Sequence, residues 1–132
     1  MNYREKRIYQ LELKLIRKYF KGLRPRPVQL AKTLELNADG EAGEPNLIIK
    51  DRKRARPELE ALLKHELIHY ELKDKGKFFH GHGRAFLKRA QALGKVRGQL
   101  VGLEVHAQAA LMAARRRRTW AAMSSSIARY SN

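Results

Sequence analysis

The first segment of the chain, from Tyr3 to Phe20, places its apolar residues at the period of an α-helix. These residues are three or four positions apart, at Ile8, Leu11, Leu15 and Tyr19. Side chains with this spacing lie on one face of a helix, so the segment is predicted to be an amphipathic helix with one apolar stripe. Gly22 and Pro25 end the helical pattern.

The next segment, from Val28 to Leu36, changes to a period of two. Its even positions are mostly apolar and its odd positions mostly polar, which is the pattern of a half-buried strand. The residues from Asn37 to Asn46 are rich in turn formers and predict a loop. A short apolar run follows at Leu47, Ile48 and Ile49. We therefore expect a small antiparallel sheet.

Helical patterns return after the predicted sheet. Pro57 suits the first turn of a helix, and the negative charges of Glu58 and Glu60 are favourable near the positive end of the helix dipole. A helix is therefore expected from about Pro57 to Leu72. A second helical pattern has its apolar side at Phe86, Leu87, Ala90 and Leu93. The alanine-rich segment from Val96 to Arg118 predicts a last long helix, and residues 119–132 are expected to form a flexible tail.

The composition predicts one soluble domain. A length of 132 residues fits a single compact unit. The chain has no cysteine, so it has no disulfide framework and no cysteine-ligated zinc knuckle. It has no apolar run near the roughly 18 residues that span a bilayer, and its N-terminal segment lacks the apolar core of a secretory signal. We expect a cytoplasmic protein.

The charge adds a possible class of partner. Lys and Arg number 29 against 13 Asp and Glu, a formal net charge of +16, which favours nucleic acid or another polyanion and also fits a solvated surface. Two basic clusters are candidates for DNA contact. They are Arg52, Lys53, Arg54 and Arg56, and Arg115, Arg116, Arg117 and Arg118 beside Trp120. The second cluster would equally suit the negative end of a helix dipole.

The candidate chemistry lies in the segment His65-Glu66-Leu67-Ile68-His69. Two histidines four positions apart on a helix project from the same face and can both reach one Zn²⁺, at about 2.0–2.1 Å. Glu66 follows the first histidine directly and can take a proton from a water molecule as general base. The alternative is a helix with two structural histidines. The motif predicts a zinc site suited to hydrolysis.

A catalytic zinc normally takes three protein ligands, so a third is required. His80 and His82 lie just downstream, and Glu104 is a weaker candidate for the glutamate ligand of a gluzincin. In a metzincin the third ligand would lie six residues after His69, and that position is Lys75, which excludes the metzincin arrangement.

The segment HELIHYELKDKGKFFHGHGRAF resembles the core of the SprT-like zincins, the family that includes the Spartan protease domain. In that family a histidine in the pattern HGxx(F/W) follows HExxH, and here the match is His82-Gly83-Arg84-Ala85-Phe86. The resemblance implies that His65, His69 and His82 hold one Zn²⁺ per chain and that Phe86 packs beneath the site. His80 remains a competitor for the third position.

The resemblance also implies a fold and a function. The fold is an α+β zincin domain over residues 1–118, distinctive in 57–94, with an N-terminal helix, a short antiparallel sheet, an HExxH helix and C-terminal helices. Many members of that family continue into a cysteine-ligated zinc ribbon, and this sequence has no cysteine, so the ribbon's metal and nucleic-acid roles are not carried over. The implied function is a zinc metalloprotease of DNA-associated proteins, in which Glu66 activates water. Two alternatives stay open: a nucleic-acid-binding protein on a degenerate zincin scaffold, and a hydrolase of non-peptide amides.

Overall fold

The computed structural model describes residues 1–77 and 81–98, apart from the side chain of Asn37. These residues form an α+β domain. Its elements are α1 (Tyr3–Tyr19), β1 (Val28–Ala31), β2 (Gly40–Ala42), β3 (Leu47–Lys50), α2 (Arg56–Asp74) and α3 (Arg84–Leu93), with a short 3₁₀ turn at Glu35–Asn37. None of the helices in these ranges is long and apolar enough to cross a membrane.

Helix α1 begins at a capping box. The Asn2 side chain accepts the Glu5 N–H at 2.8 Å, and the Glu5 carboxylate accepts the Asn2 N–H at 2.7 Å, so two otherwise unpaired donors are satisfied. The second Glu5 oxygen accepts the N–H of Leu30 in β1 at 2.8 Å. The predicted first helix is confirmed, and its cap also fixes its position on the sheet.

The sheet differs from the prediction. Its order is β1-β3-β2, with β1 parallel to β3 and β2 antiparallel to β3. The expected antiparallel sheet is therefore wrong for the two strands that were predicted, β1 and β3. The segment between them is long enough to return the chain to the same end of the sheet, and it contains β2 where only a loop was expected.

The first predicted strand is also shorter than expected. It ends at Ala31, and Leu36, the last apolar position of the period-two pattern, is fully exposed with a positive φ of 56°. A residue in the left-handed region cannot continue a strand. The apolar pattern beyond Ala31 therefore does not reflect pairing in a sheet.

Helix α2 is the centre of the domain. Its side chains pack against α1, the sheet and α3, and those of Leu63, Leu67 and Ile68 have no exposed surface. The buried residues between Leu62 and Leu72 lie on several sides of the helix, so α2 packs against more than one element. The prediction of a helix from about Pro57 to Leu72 is confirmed and extended at its C-terminal end to Asp74.

The third predicted helix is confirmed as α3, which ends before Gly94. The predicted helix from Val96 to Arg118 and the tail 119–132 lie almost entirely outside the described ranges. Of that helix only residues 96–98 are described; none of them is helical, and residues 97 and 98 form a turn.

A buried arginine connects the loop before β1 to the end of α2. Arg26 is 1% exposed, and its guanidinium contacts the Glu44 carboxylate at 2.9 Å and the Asp74 carboxylate at 2.8 Å. It also lies 4.1 Å from the ring centroid of Tyr70, whose hydroxyl donates to the Gly43 carbonyl at 2.6 Å. These contacts fix α2 against the β2–β3 connection.

Candidate metal centre

Three histidines converge at one side of α2. His65 and His69 are one turn apart on the helix, and His82 lies shortly before α3. The Nε2 atom of His65 is 3.3 Å from Nε2 of His69 and 2.9 Å from Nε2 of His82. A tetrahedral zinc with bonds of about 2.0–2.1 Å separates its ligand nitrogens by about 3.3–3.4 Å. The cluster could therefore hold a metal ion.

A backbone carbonyl orients the central histidine. Nδ1 of His65 lies 3.1 Å from the carbonyl oxygen of Arg97, so in the neutral ring Nδ1–H donates and Nε2 carries the lone pair. The N–H of Arg97 in turn donates to the Ala61 carbonyl at 2.9 Å, and its side chain pairs with Asp39. Metal-binding histidines are commonly held by such a contact at the second nitrogen.

The electrostatics keep the histidines in the form that binds metal. Burial lowers the pKa of His65 to about 4 and lowers the pKa of His82 below its usual range. Both rings are therefore neutral at pH 7, which is the state that a metal requires. The single lone pair on His65 Nε2 faces two other ring nitrogens, and a cation shared by all three would satisfy this arrangement.

Phe86 supports the cluster from α3. Its ring centroid is 4.8 Å from that of His65, 4.8 Å from that of His69 and 4.6 Å from that of His82, and the residue is buried. His65 and His69 are half-buried, whereas His82 is exposed. The histidines thus rest on an aromatic side chain and are open to solvent on the side of His82.

Glu66 is a buried carboxyl beside this cluster. It is 5% exposed and accepts the backbone N–H of Ala42 in β2. Burial, with a smaller contribution from the charge of Glu41, raises the pKa of Glu66 to about 8. A cation held by the neighbouring histidines would lower that pKa again, because positive charge favours the carboxylate. Metal binding would therefore favour the ionised form of Glu66, the form that can act as a base.

Strand β2 approaches Glu66 closely at a glycine. A Cβ atom at Gly40 would lie 3.2 Å from Oε1 of Glu66 and 3.2 Å from Cδ1 of Leu62. Both distances are tight for a carbon atom, and side chains larger than a methyl group would come closer still. The absence of a side chain at this position lets the edge strand contact the carboxyl.

We predict that Gly40→Val lowers the free energy of unfolding by about 1–3 kcal/mol, the usual range for overpacking. The backbone of Gly40 has no positive φ, so a strand-forming residue meets only the crowding at Glu66 and Leu62. Gly40→Ala should lower the free energy of unfolding by less, because its single methyl group needs only a small shift of its neighbours. Urea unfolding followed by circular dichroism measures both, and a valine variant as stable as the wild type would contradict the packing described.

The structure brings together most of the site residues predicted from the sequence. His65, His69 and His82 converge on one point, and Glu66 follows His65 on α2. His80, Glu104 and the cluster Arg115 to Arg118 are outside the described ranges. Sequence reasoning missed Gly40, Ala42 and Arg97. Gly40 lay inside a predicted loop, and Arg97 contributes a backbone carbonyl, which no residue type signals.

No protein-family model, curated protein or solved structure matches this chain. The resemblance to SprT-like zincins therefore remains a prediction from the motif.

Proposed function

We propose that this protein is a zinc-dependent peptidase. The observation that carries the proposal is the convergence of three imidazole side chains next to a helix position that holds a buried carboxyl, Glu66. His65, His69 and His82 would hold the metal. Three histidines and an open side are the ligand set of a catalytic zinc, whereas structural zinc sites are closed by four protein ligands.

When bound, zinc supplies a Lewis acid and makes a water molecule acidic near neutral pH. Glu66 would take the proton of the attacking water and later give it to the leaving nitrogen of the peptide. Burial raises the pKa of Glu66, and a bound cation would lower it again, which favours the carboxylate that accepts the proton. The contact with the Ala42 N–H holds the Glu66 side chain in place.

The position of β2 supports a peptide as substrate. Among the described strands β2 lies at an edge, since the sheet order is β1-β3-β2. The Glu66 carboxyl accepts the N–H of Ala42 in this strand. An extended peptide laid along this edge would pass the carboxyl, and addition of a strand to a sheet edge is a common mode of peptide binding. The proposed substrates are unfolded or extended protein segments, including those of DNA-associated proteins.

Metal removal tests the proposal. We expect the zinc-loaded protein to cleave an unfolded substrate such as casein, a chelator to abolish cleavage, and added Zn²⁺ to restore it, because the histidines act only through the ion. The readout is the appearance of new peptide N-termini. Cleavage that continues after verified zinc removal, or its absence from fully loaded protein, would refute the proposal.

A second candidate function is nucleic-acid binding without hydrolysis, on a scaffold of the same fold. It is favoured by the position of Arg52, Lys53, Arg54 and Arg56, which line a concave surface with α1. Its sign would be salt-sensitive DNA binding that survives Glu66→Ala, together with no hydrolysis by the wild type.

A further inference from the structure

The backbone of Arg97 contacts α2 beside the metal centre. Its N–H donates to the Ala61 carbonyl at 2.9 Å, and its carbonyl oxygen lies 3.1 Å from Nδ1 of His65. Ala61 and His65 are about one helical turn apart, so both polar groups of one peptide residue are bound within the turn that carries the first histidine. The side chain of Arg97 extends from this position to the carboxylate of Asp39, with which it forms an ion pair.

Arg97 lies in a segment without regular secondary structure. It follows α3, which ends at Leu93, and its neighbours Lys95 and Gly98 have positive φ angles of 52° and 85°. Such a segment has no repeating ladder of backbone hydrogen bonds, so its position depends on the individual contacts of its residues. The buried side chain of Val96 supplies one of these contacts, and the ion pair of Arg97 supplies another.

Asp39 is a fixed anchor for that ion pair. Its side chain is 9% exposed, and its carboxylate accepts two hydrogen bonds from Arg52, at 3.1 and 3.0 Å. Its backbone carbonyl accepts the N–H of Lys50 in β3 at 2.8 Å, which connects the residue to the sheet. The hydrogen bond from Arg52 and a smaller contribution from Arg97 hold the pKa of Asp39 well below its usual range. The carboxylate is therefore ionised at neutral pH.

We propose that Asp39 is a positioning residue of the metal centre and acts on His65 through Arg97. The Arg97 carbonyl favours the tautomer of His65 whose Nε2 lone pair faces the other two histidines, and it can do so only where its backbone is fixed. The guanidinium held by Asp39 fixes that backbone. The inference rests on the proposed metal site and adds a connection from the sheet to one of the metal ligands.

The first test measures zinc affinity by competition with a chelator in Asp39→Asn, Arg97→Met and the double variant. Asparagine keeps the shape of the Asp39 side chain without its charge, and methionine removes the guanidinium but keeps the backbone carbonyl of Arg97. Asp51→Asn is the matched control, because Asp51 also pairs with an arginine, Arg4 of α1. Circular dichroism and thermal melting check that each variant folds.

We expect each single variant to bind zinc about tenfold more weakly than the wild type, the lower end of the range for groups that orient a metal ligand. The double variant should bind no more weakly than either single variant, because both substitutions break the same connection. Asp51→Asn should bind zinc like the wild type. Additive losses in the double variant, or an unchanged affinity in Asp39→Asn, would overturn the proposal, because Asp39 would then act only on the fold.

The second measurement determines the tautomer of His65 in the zinc-free protein at pH 7, from long-range ¹H–¹⁵N NMR spectra of the histidine rings. We expect the proton on Nδ1 in the wild type and a mixture of tautomers in Arg97→Met. The Arg97 side chain is 41% exposed, so this variant should fold even if Asp39→Asn does not. The same tautomer in both proteins would overturn the proposal.

The NMR measurement needs neither zinc nor hydrolysis, so it separates this inference from the proposed function. A changed tautomer in a protein that cleaves no peptide would support the role of Asp39 and refute the peptidase proposal. An unchanged tautomer in an active peptidase would do the reverse.

Discussion

Glu66→Gln is expected to lower the rate of peptide hydrolysis by about 10²–10⁴-fold, the usual contribution of a general acid–base group. The amide has nearly the same shape as the carboxyl but cannot accept the proton of the attacking water. Its oxygen can still accept the Ala42 N–H, and the three histidines are unaltered. The loss should therefore appear in kcat, while one zinc per chain is retained.

The substitution should not unfold the protein. In the metal-free protein, burial raises the pKa of Glu66 to about 8, so the carboxyl is largely neutral at pH 7 and a neutral amide is a close substitute. Glu58→Gln is the matched control, since Glu58 is an exposed glutamate in the first turn of the same helix. The measurement is kcat/KM on a fluorogenic peptide with zinc content determined in parallel. A fully active, zinc-loaded Glu66→Gln protein would remove Glu66 from the mechanism.

Arg26→Ala is expected to lower the free energy of unfolding by about 3 kcal/mol, at the lower end of the range for breaking a buried ion pair. Arg26 is 1% exposed, whereas the Glu44 and Asp74 side chains are 31% and 37% exposed and can recover some hydration. The stacking on Tyr70 is lost as well. Arg24→Ala is the control. Arg24 is mostly exposed and lies 3.7 Å from Glu44, so its loss should cost less than about 0.5 kcal/mol.

The effect of Arg26→Ala should depend on pH. The hydrogen bond from Arg26 holds the pKa of Asp74 below its ordinary value of 3.8. A carboxyl with a lowered pKa stabilises the fold above the unfolded value and loses that contribution as the pH falls through the folded value. The difference in unfolding free energy between wild type and variant should therefore shrink in acid. Urea unfolding at neutral and acid pH measures this difference. An Arg26→Ala protein as stable as Arg24→Ala would contradict the role given to the contacts of Arg26 with Glu44 and Asp74.

The helices could be predicted from the sequence because their signals are local. The three- and four-residue spacing of apolar positions in α1 and the proline in the first turn of α2 act within one element. Strand pairing is not local. β2 consists of Gly40, Glu41 and Ala42, which have no period-two pattern, and only its pairing with β3 makes this segment a strand.

The candidate site also combines features that local sequence determines with features that depend on distant contacts. His65, Glu66 and His69 are set by helical spacing, so their arrangement follows from the sequence once α2 is predicted. His82 was selected through the resemblance, because spacing alone does not determine where the chain between α2 and α3 returns. The Arg97 carbonyl, which orients His65, depends on a contact over 32 positions of sequence and on no particular side chain.

The most direct test of the central claim is the metal content of protein purified without an affinity tag, measured by elemental analysis for the wild type, His82→Ala and His80→Ala. We predict one zinc per chain in the wild type, its loss in His82→Ala and its retention in His80→Ala. A wild type that takes up no zinc even when zinc is added, or a His82→Ala protein that keeps its zinc, would contradict the assignment of the metal to His65, His69 and His82.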